Sequence, residues 1–178
     1  LHSNDDFSVD IGYYMQTHLE TVNGASGIPH FYLGTADIPN NYSQLEDAVS
    51  SDLLLTPKVN IDLNYSIDSG MININVQSKL ADGFNGENCF LATYVLEDGK
   101  VAPQNVLGNY QDDYVHDNIL RTEASGSGTA FGSSIEFDSD GNNLSTFVGV
   151  ALAPEPIWDH SQLYVVAVIW QQNGSDYE

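Results

Sequence analysis

Asp112, Asp113, His116 and Asp117 form the densest cluster of carboxylates and imidazole in the chain. A histidine with two aspartates is a donor set for Zn²⁺ or Mn²⁺. On a strand, however, His116 and Asp117 point to opposite faces, so at most one of them joins the loop carboxylates. The structural reading of this stretch pairs Arg121 with Glu97 or Asp117 and lets His116 hydrogen-bond loop backbone. Glu97, Asp98, His116, Asp117 and Arg121 are then a structural motif. A second oxygen-rich run, Asp138-Ser139-Asp140-Gly141-Asn142-Asn143, sets Asp138, Asp140 and Asn142 at alternate positions around a turning glycine. That is how a Ca²⁺ cage begins. No glutamate follows at the twelfth position of an EF-hand loop, and the same residues are good hairpin-turn material. A calcium site and a plain turn both remain open here.

Nucleophiles are poorly supported. Gly126-Ser127-Gly128 lacks the strand–turn–helix setting of a nucleophile elbow, and Gly126–Gly132 has neither the lysine nor the following helix of a phosphate cradle. The single cysteine, Cys89, sits in an apolar run and reads as a buried, inert thiol. Tyr110, Asp112, Asp113, Tyr114 and Trp158 lie in loops or at strand ends. There, aromatics stack on sugar rings or anchor a protein partner. The expectation is a protein that binds rather than one that catalyses.

These residues must be positioned by a mainly β chain with an α/β N-terminal part. Behind Ser3-Asn4-Asp5-Asp6, which can cap a helix, Ile11, Tyr14, Met15, His18, Leu19 and Val22 recur at helical spacing. A short strand is expected at 30–34. A second helix follows, with Ser43 and Glu46 spaced as a capping box and Leu45, Val49 and Leu53 on one face. Pro57 ends it and marks a boundary between residues 1–56 and 57–178. Beyond, the period changes to two. Val59, Ile61, Leu63, Tyr65 and Ile67 turn at Asp68-Ser69-Gly70 into Ile72, Ile74 and Val76, which predicts a hairpin. Further strands are expected at 89–96, 114–121, 129–137, 144–152 and 163–171, with a long polar loop at 97–117. About seven strands at this spacing fit an immunoglobulin-like sandwich.

Composition narrows the function. The 178 residues carry 25 Asp+Glu against four Lys+Arg, a net charge of −21. With no basic patch to neutralise phosphates, nucleic acid is excluded as a partner, and an anionic membrane surface is disfavoured for the same reason. Such a polyanion attracts divalent cations or basic partners. A hydrophobic content of 42% supports a core. No apolar run is long enough for a membrane-spanning helix.

The pairing of E-D-G-x-V-A-x-Q at 97–104 with Y-V-H-D-N-I-L-R at 114–121 resembles the Omp28-related outer-membrane proteins of the Bacteroidetes. That resemblance implies a thioredoxin-like part followed by an immunoglobulin-like β-sandwich, at the cell surface or secreted. The order helix, glycine turn, Ile28-Pro29, strand, helix looks like the C-terminal half of a thioredoxin fold, with Pro29 where that fold has a cis proline. The segment that would carry Cys-x-x-Cys is missing from the chain. Proteins of this kind are exported and fixed outside by a C-terminal sorting domain, which makes the type IX secretion machinery an implied partner. No such domain is visible before Glu178.

The expected function is binding or adhesion at a bacterial cell surface. The 97–117 loop is the recognition element, a surface protein or glycan the partner, and Ca²⁺ the one cofactor to consider. Two alternatives accompany it. One is a thiol–disulfide redox protein whose Cys-x-x-Cys half lies upstream, and the other is a carbohydrate-binding module of a polysaccharide-uptake system.

Overall fold

The computed structural model describes residues 7–24, 31–38, 41–106 and 108–178. Helix α1 (Asp10–Asn23) follows Val9, which supplies no side-chain cap, and ends on Gly24 at φ 65°. The polar Ser3–Asp6 run and Pro29 both lie outside the described residues. Two three-residue strands, β1 (Phe31–Leu33) and β2 (Ala36–Ile38), pair as a tight hairpin where one strand was expected. Helix α2 (Tyr42–Asp52) is capped by Asn41, whose side chain accepts from the Ser43 amide at 3.0 Å. The cap therefore falls two residues before the expected Ser43, because an asparagine oxygen reaches the first-turn amides at least as well as a serine hydroxyl.

The remaining chain is mainly strand: β3 (Val59–Asp68), β4 (Met71–Leu80), β5 (Cys89–Glu97), β6 (Lys100–Val106), β7 (Asn109–His116), β8 (Ile119–Glu123), β9 (Ser133–Ile135), β10 (Asn142–Ala151), β11 (Leu163–Asn173) and β12 (Asp176–Tyr177). The β3–β4 hairpin forms as its alternation demands. Its two loop residues, Ser69 and Gly70, both have positive φ, the twist that matches two antiparallel strands. One sheet has the order β10-β4-β3. The other has β12-β11-β5-β8, with β9 also on β5.

The two sheets share one core. Ile72, Ile74 and Val76 of β4 meet Leu91 and Val95 of β5 and Leu163 and Val165 of β11. Strand β5 is buried on both faces, as a continuous apolar run requires. Its other face carries Tyr94, whose hydroxyl donates to the Ala130 carbonyl at 2.5 Å and accepts from the Trp170 indole at 3.1 Å. Over that face lie Phe131 and Tyr177, stacked at 4.0 Å, and His18 of α1, 4.6 Å from Phe131. The N-terminal helix is thus part of the packing of the second sheet.

Burial pushes the Tyr94 phenol from 10.0 up to about 12. Between those two values the unfolded chain has lost a proton that the folded chain keeps. The contribution of Tyr94 to stability is therefore fully present below pH 10.0 and is lost as the pH rises toward about 12. Tyr94→Phe is expected to flatten that alkaline loss, which denaturant melts across the range will register.

Candidate functional site

The stretch expected to be a loop at 97–117 is instead an antiparallel ribbon. Strands β6 and β7 pair with each other and with no other described strand. The long strand expected at 114–121 is broken for a local reason. Asn118 takes φ 57°, a left-handed conformation that asparagine tolerates, and separates β7 from β8. The Asp117-Asn118 pair carried that signal in the sequence.

Pro103 explains the shape of the ribbon. Register runs Lys100↔His116, Val101↔Val115 and Ala102↔Tyr114, then resumes at Gln104↔Gln111 and Asn105↔Tyr110. Two residues, Asp112 and Asp113, therefore stand opposite the single Pro103. Proline has no amide to give the ladder, and a bulge at that point spares the loss. The bulge changes which side chains share a face. Strict alternation would set Tyr110 beside Tyr114 and His116, whereas the register puts Tyr110 on the opposite face with Val101 and Val115. That face is open: Tyr110, Val101 and Val115 are 69%, 59% and 51% exposed.

The base of the ribbon is tied in four places. Asp117 Oδ1 accepts from the Gly99 amide at 2.8 Å, and Asp98 Oδ1 accepts from the Asn118 amide at 2.6 Å. The Tyr164 hydroxyl donates to Asn118 Oδ1 at 2.6 Å, and Lys100 Nζ donates to the Ile157 carbonyl at 3.1 Å. Beneath lies the buried pair. Glu97 Oε2 receives Arg121 Nε at 2.6 Å and Nη2 at 2.5 Å, while Oε1 accepts from the Asp159 amide at 2.8 Å. Between Leu96↔Leu120 and Val95↔Thr122, β8 holds one extra residue, Arg121, and this second bulge brings its guanidinium to Glu97. The rings of Phe7 and Trp158 flank that guanidinium at 5.5 and 6.0 Å.

Glu97, rather than Asp117, is thus the partner of Arg121. His116 Nε2 lies 3.3 Å from the Ala102 carbonyl, with Tyr114 and Phe7 at 4.9 Å on its ring. A cavity of about 620 Å³ opens above these groups, walled by Phe7, His116, Arg121, Ile157, Trp158 and residues 100–104 of β6. Trp158 belongs to this base, away from Tyr110, so the aromatics grouped by sequence fall into two places.

At 138–143 the Asp138 carboxylate is turned onto its own loop. Oδ1 accepts from the Asp140 amide at 2.9 Å and the Asn142 amide at 2.8 Å, which holds its pKa below the usual value. The Asn142 side-chain amide also points at Asp138, at 3.3 Å. Among the described residues no three His, Cys, Asp or Glu side chains converge on a point a metal could occupy. Cys89 is buried, and burial raises its thiol pKa.

Glu123 is the buried carboxylate that sequence reasoning missed. It accepts from the Thr93 amide at 3.0 Å, the Ser125 amide at 2.9 Å and the Ser125 hydroxyl at 2.7 Å. The signal was Glu followed two residues later by Ser ahead of a glycine-rich turn, a side-chain cap for backbone left free at a strand end.

A family model described as Outer membrane protein Omp28 matches residues 16–177. The chain belongs to the Omp28 family. It is accordingly an outer-membrane-associated protein of the cell surface, as its E-D-G and Y-V-H-D-N-I-L-R stretches implied. No curated protein matches it. Among solved structures it is similar to HBP35 of Porphyromonas gingivalis, at 15% identity and a TM-score of 0.76 over 99% of this chain and 58% of that one. The chain thus spans less than two thirds of that protein, and the likeness speaks to fold. A domain of the outer membrane lipoprotein Omp28 from the same organism aligns at 18% identity and a TM-score of 0.41, over 69% of this chain and 84% of that one. In this Omp28 chain no described helix is long and apolar enough to cross a membrane.

Proposed function

We propose that this Omp28-family chain is a non-catalytic binding or adhesion protein of the bacterial surface, with the β6–β7 ribbon as its recognition element. The observation that carries this reading is the contrast within the ribbon. Its base is fastened through Asp98, Asp117, Asn118 and Lys100, while Tyr110, Val101 and Val115 stand open on one face. Exposed aromatic and apolar residues on a stiff support offer contact area at low ordering cost. Asp112 and Asp113 beside them favour a basic or polyhydroxyl partner, in keeping with the net charge of −21. In this reading residues 57–178 are an immunoglobulin-like sandwich and residues 1–56 the C-terminal half of a thioredoxin-like fold, both serving as scaffold.

The test applies the purified chain to a glycan array and to immobilised extracellular-matrix proteins. Saturable retention is expected, with Tyr110→Ala combined with Val115→Ser weakening it by about tenfold or more and leaving the melting temperature unchanged. Retention that survives the double substitution would move recognition away from the ribbon, and no retention on either surface rejects the binding reading.

A further inference from the structure

Strand β3 forms one edge of the β10-β4-β3 sheet, with no described strand on its outer side. Proteins blunt exposed strand edges with bulges, prolines or shortness, because unpaired backbone groups are a template for another strand. Among the described strands the other edges follow this rule. Strand β10 has a register break between Phe147 and Val150, β8 carries the Arg121 bulge, β7 is bulged opposite Pro103, and β12 has two residues. Strand β3 is the exception. Its ten residues pair with β4 without a single register shift, and it contains neither proline nor lysine.

The direction of its free groups follows from the ladder. The Ala81 amide donates to the Lys58 carbonyl at 2.9 Å, which makes those two residues a hydrogen-bonded pair. Alternation from there points the N–H and C=O of Val59, Ile61, Leu63, Tyr65 and Ile67 away from β4, toward the open edge. A groove of about 870 Å³ opens at the Val59–Ile61 end of that edge. Val59, Ile61, Leu55, Phe84 and Ile169 supply apolar wall. Asp52, Asp176 and Glu178 line the same groove against one cation, Lys58, whose ammonium sits 5.6 Å from the Phe84 ring.

We infer that β3 accepts an extended peptide segment by antiparallel or parallel strand addition, the segment alternating apolar residues with lysine or arginine. Main-chain hydrogen bonds to the five outward residues hold it, alternate apolar side chains enter the groove, and basic side chains meet the acidic lining. Charge complementarity selects this occupant over a second copy of the chain, since two molecules of net charge −21 repel each other.

The experiment uses the full chain and a short end-capped peptide alternating valine with lysine, followed by fluorescence anisotropy and amide hydrogen exchange. Saturable binding is expected, with slowed exchange at the Ile61, Leu63 and Tyr65 amides. Ile61→Pro removes an outward amide without breaking a bond to β4 and is expected to weaken binding by about tenfold or more. Should that variant fail to fold, Ile61→Lys, which sets a like charge in the path of the peptide, carries the same expectation. Equal binding of a peptide N-methylated at alternate residues overturns the inference, as does the absence of any saturable binding. Protection of the same amides in a dimer without peptide also overturns it, in favour of a second copy.

Discussion

Replacing Glu97 with alanine is expected to destabilise the protein by about 3–5 kcal/mol, the cost of leaving a buried charge without its partner. For a chain of this size that lowers the melting temperature by roughly 10 °C. The reason lies in what Arg121 would be left with. Arg121 is 5% exposed, its guanidinium is bounded by the rings of Phe7 and Trp158, and Glu97 is the anion it meets, at 2.5 and 2.6 Å. The Asp159 amide, which donates to the other carboxylate oxygen, would lose its acceptor as well. Glu97→Gln keeps the shape and part of the hydrogen bonding but removes the charge, and should fall between alanine and the native residue. Replacing both partners at once, with Glu97→Leu and Arg121→Met, is expected to recover much of the loss, because an apolar pair avoids the desolvation that an ion pair must overcome. Urea unfolding of the singles and the double measures this directly. If the double variant is as unstable as the sum of the singles, the pair is not the coupled unit described here.

Gly132→Ala is expected to be at least as damaging, at about 4 kcal/mol or more. A Cβ built on Gly132 would lie 2.0 Å from the Leu91 carbonyl oxygen and 2.3 Å from its carbon, and the residue has φ 80°. The obstacle is the backbone of β5, the most deeply buried strand, which cannot yield as a flexible side chain would. Gly149 is the control. It too has positive φ, at 67°, but a Cβ there meets nothing within 4 Å. Gly149→Ala should therefore cost only the left-handed backbone penalty, about 1–2 kcal/mol. A Gly132→Ala melt no worse than that of Gly149→Ala would show that the 129–132 segment does not press on β5 as described.

Both effects also govern the ribbon. Glu97 and Arg121 sit where β5 hands the chain to β6 and where β8 receives it back, so the orientation of Tyr110, Val101 and Val115 depends on this buried pair. Weakening that pair should lower ribbon-dependent retention along with stability, whereas Tyr110→Ala with Val115→Ser should lower retention alone.

The sequence by itself determined the elements whose periodicity is local. The β3–β4 hairpin, the apolar strands β5 and β11, the burial of Cys89 and the turn at 138–143 are all legible in alternation, turn residues and hydrophobic runs. The resemblance of 97–104 and 114–121 to Omp28 proteins identified the family. Tertiary structure alone decided the rest. A bulge is one residue of register between two strands, and neither strand shows it alone. Only the pairing reveals that Pro103 faces Asp112 and Asp113, that Tyr110 and Tyr114 therefore part company, and that Arg121 turns toward Glu97 rather than Asp117. Polar composition made 97–117 look like a loop, because a ribbon whose strands bury only His116 has no continuous apolar stripe to announce it. The open edge of β3 is likewise a property of what does not pair with it, and only the assembled sheet can show that.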